Sequence, residues 1–457
     1  MKNHFSSKSL KVNKNQLNLT EGFVFFQLIK FAIPLILSSV LQLVFNAADI
    51  IVVGKFAGDN ALAAVGSTSS LINLLVNLFV GLSVGTNVVV ANFFGAGRKR
   101  ELSTTVHTAI LLSFISGGIL TIIGVIGTKY ILILMQTPKE VLSLATIYLR
   151  VYFGGIIATV VFNFGSAILR AKGDTKRPLY ILILAGVVNV CLNLVFVIFF
   201  KMSVAGVALA TVISQFLSAF LVINCLLKEE PDFRLNLRKL NLDKDIFIKI
   251  VRIGVPAGLQ GIIFSLSNVV IQSSINSFGS VIVAGSSAAS NIEGFTFTAM
   301  NGFTQGTLTF VSQNLGAKKI DRIKKVVLIS LSSVFVVGTV LGVMSVIFGK
   351  NLLKFYTDNP DVINAGLLRL KFVCTFYALC GMMDVMGSSI RGLGHSVLPM
   401  IVSLAGACGF RLLWLATIFT IPSYHTCETI FISYPFSWLI TFVVHIICFV
   451  IIMKKTN

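Results

Sequence analysis

Residues of this chain recur in register about 221 positions apart, and that recurrence limits what it can fold into. Gly81, Gly85 and Gly95 return as Gly302, Gly306 and Gly316, and Arg170, Gly173 and Pro178 return as Arg391, Gly394 and Pro399. Pro34 and Asn46 return one residue late, as Pro256 and Asn268. The matches lie in or beside long apolar segments, so the repeated unit reads as a bundle of membrane helices. Two similar bundles can rock against each other around a shared site, which is how many transporters open a cavity to each side in turn. A transporter is therefore the function class that the duplication implies.

Composition fixes the solvent. Of 457 residues 55% are hydrophobic and only 12% charged, too few charges to cover a water-soluble protein of this length. The formal charge of +20 does not point to nucleic acid, because the basic residues gather in alternate loops. Arg98, Lys99 and Arg100 form one group, Arg170, Lys172, Lys176 and Arg177 a second, and Lys318, Lys319, Arg322, Lys324 and Lys325 a third. The loops between carry only Lys55, Lys129, Lys139, Lys201, Lys350 and Lys354. This is the positive-inside pattern and puts both termini in the cytoplasm. The first 27 residues are polar and basic without a cleavage signal, so the first membrane helix itself is expected to direct insertion. The seven cysteines contain no C-x-x-C pair and mostly lie in apolar spans, where they read as small hydrophobes; no cofactor is expected.

Apolar runs of about 20 residues mark twelve spans: 28–53, 61–82 with an extension to 95, 104–127, 141–168, 179–200, 204–226, 250–275, 282–315, 326–348, 364–390, 397–420 and 431–453. The expected fold is all-α, with twelve transmembrane helices in two six-helix repeats. Six spans per repeat start both copies on the same side, which relates them by a pseudo-two-fold axis along the membrane normal. The expected parts are a cytoplasmic tail (1–27), an N-lobe (28–227), a partly helical cytoplasmic linker (228–247) and a C-lobe (248–457).

Two motifs recur in both halves. Gly81-Leu-Ser-Val-Gly85-Thr86 running to Gly95-Ala-Gly97 is answered by Gly302-Phe-Thr-Gln-Gly306-Thr307 running to Gly316. Glycines four apart leave a smooth strip for a neighbouring helix. Leu169-Arg170-Ala-Lys172-Gly173-Asp174-Thr175-Lys176-Arg177-Pro178 closes span four, and Ile390-Arg391-Gly392-Leu-Gly394 running to Pro399 closes span ten; both read as turns that open the next helix. With the Pro34…Asn46-x-x-Asp49 first span, Leu62-Ala-Ala-Val-Gly66 and Gly206-Val-Ala-Leu-Ala-Thr211, these motifs resemble the multidrug and toxic compound extrusion (MATE) family, on its bacterial, DinF-like side. The resemblance covers nearly the whole chain. It implies a multi-pass protein of the bacterial inner membrane, working as a monomer, that exports amphipathic and often cationic organic compounds. Entry of H+ or Na+ would drive the export by a rocker-switch.

Ionisable groups at membrane depth are costly, so each is a candidate site. Asp49, near the outer end of span one, matches the family's coupling aspartate, while its repeat position holds Ile271. It could take a proton from outside and release it to an incoming ion or substrate, or simply cap the outer loop. Asn189 and Asn193 share one helix face at i, i+4. With Asn46 and Thr211 they could orient Asp49 or hold Na+ (at Asp49, Asn189 and Asn193), or act as interhelical glue. Some family members carry a carboxylate where this chain has Asn193, which speaks against a two-carboxylate proton site here. In the C-lobe, Glu293, Asp384 and Arg411 form either an ion-pair network, with Arg411 neutralising an acid, or a second ion or substrate site. Sodium-coupled relatives often carry a carboxylate in span seven, near Ser265 or Ser267 of this chain. Arg150 and Lys371 match at the repeat offset and could snorkel outward or shape the field of the cavity. A lipid-linked oligosaccharide flippase of the same superfamily is the alternative; it would call for a cationic cavity, and Arg411 is the one central arginine. The five scattered histidines and short outer loops offer no enzyme site.

Overall fold

The computed structural model describes residues 17–135 and 137–456, apart from the side chains at positions 59, 69, 70, 73 and 74. The first sixteen residues of the expected tail lie outside the described residues. Helices dominate: α1 Val24–Phe56, α2 Asp59–Gly95, α3 Lys99–Leu134, α4 Lys139–Gly154, α5 Ile156–Lys172, α6 Lys176–Leu194 and α7 Ser203–Leu227. After the connection come α8 Lys244–Asn276, α9 Ser280–Gly316, α10 Ile320–Ile347, α11 Gly349–Lys354, α12 Pro360–Val373, α13 Tyr377–Gly392, α14 Val397–Ser403, α15 Phe410–Thr417 and α16 Cys427–Thr456. Among the described residues ten stretches are long and apolar enough to cross a membrane, and the bent pair α4–α5 makes an eleventh. The twelfth, α9, is 37 residues long but carries buried Glu293, Gln313, Asn314 and a run of threonines, which dilute its apolar character.

The spans are less regular than a hydropathy reading suggests, and their irregularities carry the repeat. Span four breaks by 44° between Gly154 and Ile156. Span ten breaks at Cys374–Phe376, the equivalent point of the second copy. Spans five and eleven each contain a turn of π-helix, Val195–Phe199 and Leu404–Gly409.

Close backbone approaches between the lobes follow a two-fold rule. A Cβ on Gly95 would lie 2.0 Å from the carbonyl oxygen of Gln313, and one on Gly316 would lie 2.0 Å from that of Asn92. Since Asn92 and Gln313 are themselves repeat equivalents, the two contacts are images of each other. Gly81 likewise faces Gly254 and Gly258, while Gly302 faces Ala32 and Ile36, their counterparts. These approaches join the halves of α1, α2, α8 and α9 nearest the basic loops, here called the basic end. Only glycine permits such proximity, so the smooth strip read from the sequence is the seam between the lobes.

Two segments staple that end. Residues 17–22, before α1, run across the C-lobe: Asn314 Nδ2 donates to the Leu19 carbonyl (3.1 Å) and Arg322 Nη1 to that of Gly22 (2.8 Å). The connection before α8 runs across the N-lobe in the same manner, with Asn236 N–H donating to His107 Nε2 (3.1 Å) and Asp243 N–H to Thr108 Oγ1 (3.2 Å). Its helical content is a single turn, Leu237–Lys239. Phe233 and Leu235 are buried, and Glu229 bridges Lys172 (2.7 Å) and Arg177, so this stretch is docked.

Candidate functional site

The N-lobe polar cluster is a chain of hydrogen bonds across three helices. From α7, Thr211 Oγ1 accepts from Asn189 Nδ2 (3.3 Å). From α6, Asn189 Oδ1 accepts from Asn193 Nδ2 (3.3 Å), one turn along the same face, and Asn193 Nδ2 also donates to Asp49 Oδ1 on α1. Asn193 is 0% exposed and its Oδ1 has no hydrogen-bond partner among the described residues. Asp49 forms no ion pair among the described residues. The cluster thus offers a carboxylate, an unused amide oxygen, a second amide oxygen and a hydroxyl, all hard oxygen donors suited to a proton or a small cation. The π turn Val195–Phe199 begins two residues after Asn193; such turns re-aim side chains and recur at functional sites. Asn46 does not join: it is exposed and makes no hydrogen bond to the cluster. Three residues before Asp49 it lies only about 60° around the helix from it, so it stays outside the hydrogen-bonded chain although it is close to the same face.

In the C-lobe a cavity of about 570 Å³ brings together Glu293, Asp384 and Arg411, with Arg369, Arg391 and Gln260. Glu293 is paired with Arg369, not Arg411. Arg369 Nε and Nη2 donate to the two carboxylate oxygens at 2.8 Å each, and Nη1 donates to Ser286 Oγ at 2.8 Å. The expectation that Arg411 neutralises an acid is therefore corrected. Its Nε donates to Ser437 Oγ (2.8 Å), and the guanidinium carbon lies 4.1 Å from the Tyr434 ring centre and 5.5 Å from that of Trp438. Asp384 and Arg391 stand two turns apart on α13, and Arg391 Nη2 donates to Gln260. Arg150 and Lys371 are exposed.

Arg369 is the residue that sequence reasoning missed. The signal was there, since a carboxylate in an apolar span needs a base, but four candidates competed: Arg369, Lys371, Arg391 and Arg411. Only the turn of α12 relative to α9 selects among them. The repeat position of Arg369 is Tyr148, so the duplication gave no hint. A smaller cavity of about 160 Å³ lies between the lobes, lined by Ser38, Gln42, Asn163, Arg170, Asn301 and Gln305.

Comparison with known proteins agrees with this architecture. The family model described as MatE matches residues 34–195 and again 256–415, one match per repeat. A probable multidrug resistance protein of Bacillus subtilis, YoeA, is 27% identical over 90% of this chain and 90% of its own length. The probable multidrug resistance protein NorM of Thermotoga maritima is 25% identical over 84% of each chain. A solved multidrug resistance transporter of the same family, described as outward-facing, superposes with a TM-score of 0.91 at 21% identity, covering 98% of this chain and 99% of that one.

Proposed function

Because the chain belongs to the MatE family, we propose that it is a secondary antiporter exporting amphipathic organic compounds in exchange for H+ or Na+ by a rocker-switch. The observation that supports this reading best is Asp49. It is a carboxylate at membrane depth with no basic partner among the described residues, held by Asn193 in a chain of oxygen donors that reaches Thr211. A charged carboxylate in that setting seeks a counter-ion, and either a proton or Na+ can supply it from the same side. The polar cluster belongs to one lobe, while the seam at the basic end belongs to both. Ion binding on α1 can thus bias how α1 meets α9 at the seam, which couples the ion to the rocking motion.

By the positive-inside rule the basic end is cytoplasmic, so the sealed seam corresponds to a state closed to the cytoplasm. In this reading residues 28–227 and 248–457 are the rocking lobes, the protein resides in the bacterial inner membrane with both termini inside, and it works as a monomer. The stapled connection 228–247 must loosen when the seam parts. The test is transport by purified protein in proteoliposomes, with pH and sodium gradients imposed separately. Asp49→Asn keeps the size and an acceptor for Asn193, and should abolish ion-driven efflux while the protein stays folded. Full gradient-driven efflux in that variant would remove Asp49 from the coupling role.

A further inference from the structure

The C-lobe cavity holds a surplus positive charge that no carboxylate among the described residues answers. Three arginines and two carboxylates line it, which leaves one positive charge. Arg369 and Glu293 satisfy each other through paired bonds. Asp384 and Arg391 are one charge of each sign, two turns apart on the same helix face. That leaves Arg411, 3% exposed, with no carboxylate in ion-pairing range among the described residues. A buried arginine without an anion is costly, and its local partners answer only part of the cost. A guanidinium carries five N–H donors. Here Nε serves Ser437 and Nη2 has no hydrogen-bond partner among the described residues. The rings of Tyr434 and Trp438 face the guanidinium, and such faces answer its charge but not its edge donors. The free edge has the planar fork that suits an oxyanion. The π turn Leu404–Gly409 ends two residues before Arg411, as the other π turn borders Asn193 in the N-lobe.

We propose that Arg411 receives the carboxylate of an aromatic substrate in the C-lobe cavity, which makes it a specificity-determining residue of that cavity. The proposal rests on the export reading and names the residue that selects among its substrates. The walls favour a ring-bearing ligand over a lipid headgroup with the same oxyanion chemistry. Phe264, Tyr377, Tyr434 and Trp438 supply aromatic surface, and 570 Å³ lies in the size range of drug-like pockets.

The test is equilibrium binding to the purified full-length protein in detergent, with no ion gradient, so it is independent of Asp49 and of coupling. The probes are a xanthene dye with a free benzoate carboxyl and the methyl ester of the same dye, followed by fluorescence anisotropy. Wild type should bind the acid about tenfold more tightly than the ester, about 1.4 kcal/mol, the scale of a hydrogen bond to a charged group. Arg411→Gln should erase the preference and leave ester binding unchanged, while Arg411→Lys should keep part of it. Equal binding of acid and ester by wild type would overturn the proposal whether or not the variants fold. So would an Arg411→Gln variant that weakens both dyes alike. A short-chain phosphatidic acid that displaces the dye more effectively than the unlabelled aromatic acid does would reassign Arg411 to a lipid headgroup, and would equally overturn it.

Discussion

Glu293→Gln keeps the shape of a buried side chain, removes its charge and strands Arg369. In the wild type three bonds of 2.8 Å fix that guanidinium, two to the carboxylate and one to Ser286. The side chains of Arg369 and Glu293 are only 8% and 7% exposed, so water does little to screen the pair. Deleting one member of a buried pair costs about 3–5 kcal/mol, mostly the penalty of leaving the other charge unanswered. Glutamine still offers one acceptor, which places the expected loss near the lower bound, about 3 kcal/mol. Arg369→Gln should cost a similar amount by stranding the carboxylate. In the double variant two amides face each other without charge, and most of the loss should return. The assay is thermal unfolding of the detergent-solubilised protein across the four-member cycle, read by size-exclusion fluorescence. The expected order of stability is wild type, then the double variant, then either single variant. Losses that simply add in the double variant would refute the reasoning, because additivity means the two side chains do not act on each other.

Two further outcomes follow from the basic end. Alanine at Gly95 or Gly316 would place a methyl group 2.0 Å from a backbone oxygen of the opposite lobe, so each should force the seam apart to a similar degree. A single cysteine placed at Gln305, in the inter-lobe cavity of an otherwise cysteine-free protein, should then react faster with a membrane-impermeant thiol reagent applied from the basic end; an unchanged rate would mean that these helices do not form the seal. Burial pushes the Glu229 carboxyl up, but Lys172 and Arg177 outweigh it and hold the group below its ordinary value. A depressed folded value stabilises above the unfolded carboxylate range, about pH 4.3, and that stabilisation is lost as pH falls through the folded value. The melting-temperature gap between wild type and Glu229→Gln should therefore be full near neutral pH and close on acidification, whereas a gap independent of pH would show that packing, not charge, holds the connection down.

What the sequence made legible was what recurs in it. The glycines at 81, 85, 95 and their partners announced close helix contact, and the apolar runs of about 20 residues announced the count of spans. Asn189 and Asn193 were legible because a four-residue spacing in a helix already puts two side chains on one face. The pairing of Glu293 with Arg369 was not, because it depends on how α9 and α12 turn toward each other, and no periodicity within either helix records that angle. Asn46 misled for a related reason: three residues from Asp49 it lies near the same face of α1, yet it is exposed and outside the hydrogen-bonded chain, and no spacing within α1 records that. The two π turns were hidden as well, since one extra residue in a helical turn leaves hydropathy untouched while rotating everything beyond it.

The symmetry of the scaffold and the asymmetry of its polar groups have one physical explanation. A rocking motion needs a seam whose two halves open and close together, and reciprocal contacts such as Gly95 with Gln313 and Gly316 with Asn92 do so because they are images about one axis. Binding has the opposite requirement. An ion site and a substrate site with the same residues would compete for the same ligand, and an exchanger would lose the distinction between what enters and what leaves. The copies accordingly part where charge is involved: Asp49 against Ile271, Arg369 against Tyr148, Glu293 against Ile72. Ile271 is buried in the apolar core of the C-lobe, so the position that carries a carboxylate in one lobe does packing work in the other. Among the described residues, a carboxylate without a base in the N-lobe and an arginine without an acid in the C-lobe give the two lobes opposite electrostatic demands. Under the proposed antiport, that opposition lets one seam serve two different passengers.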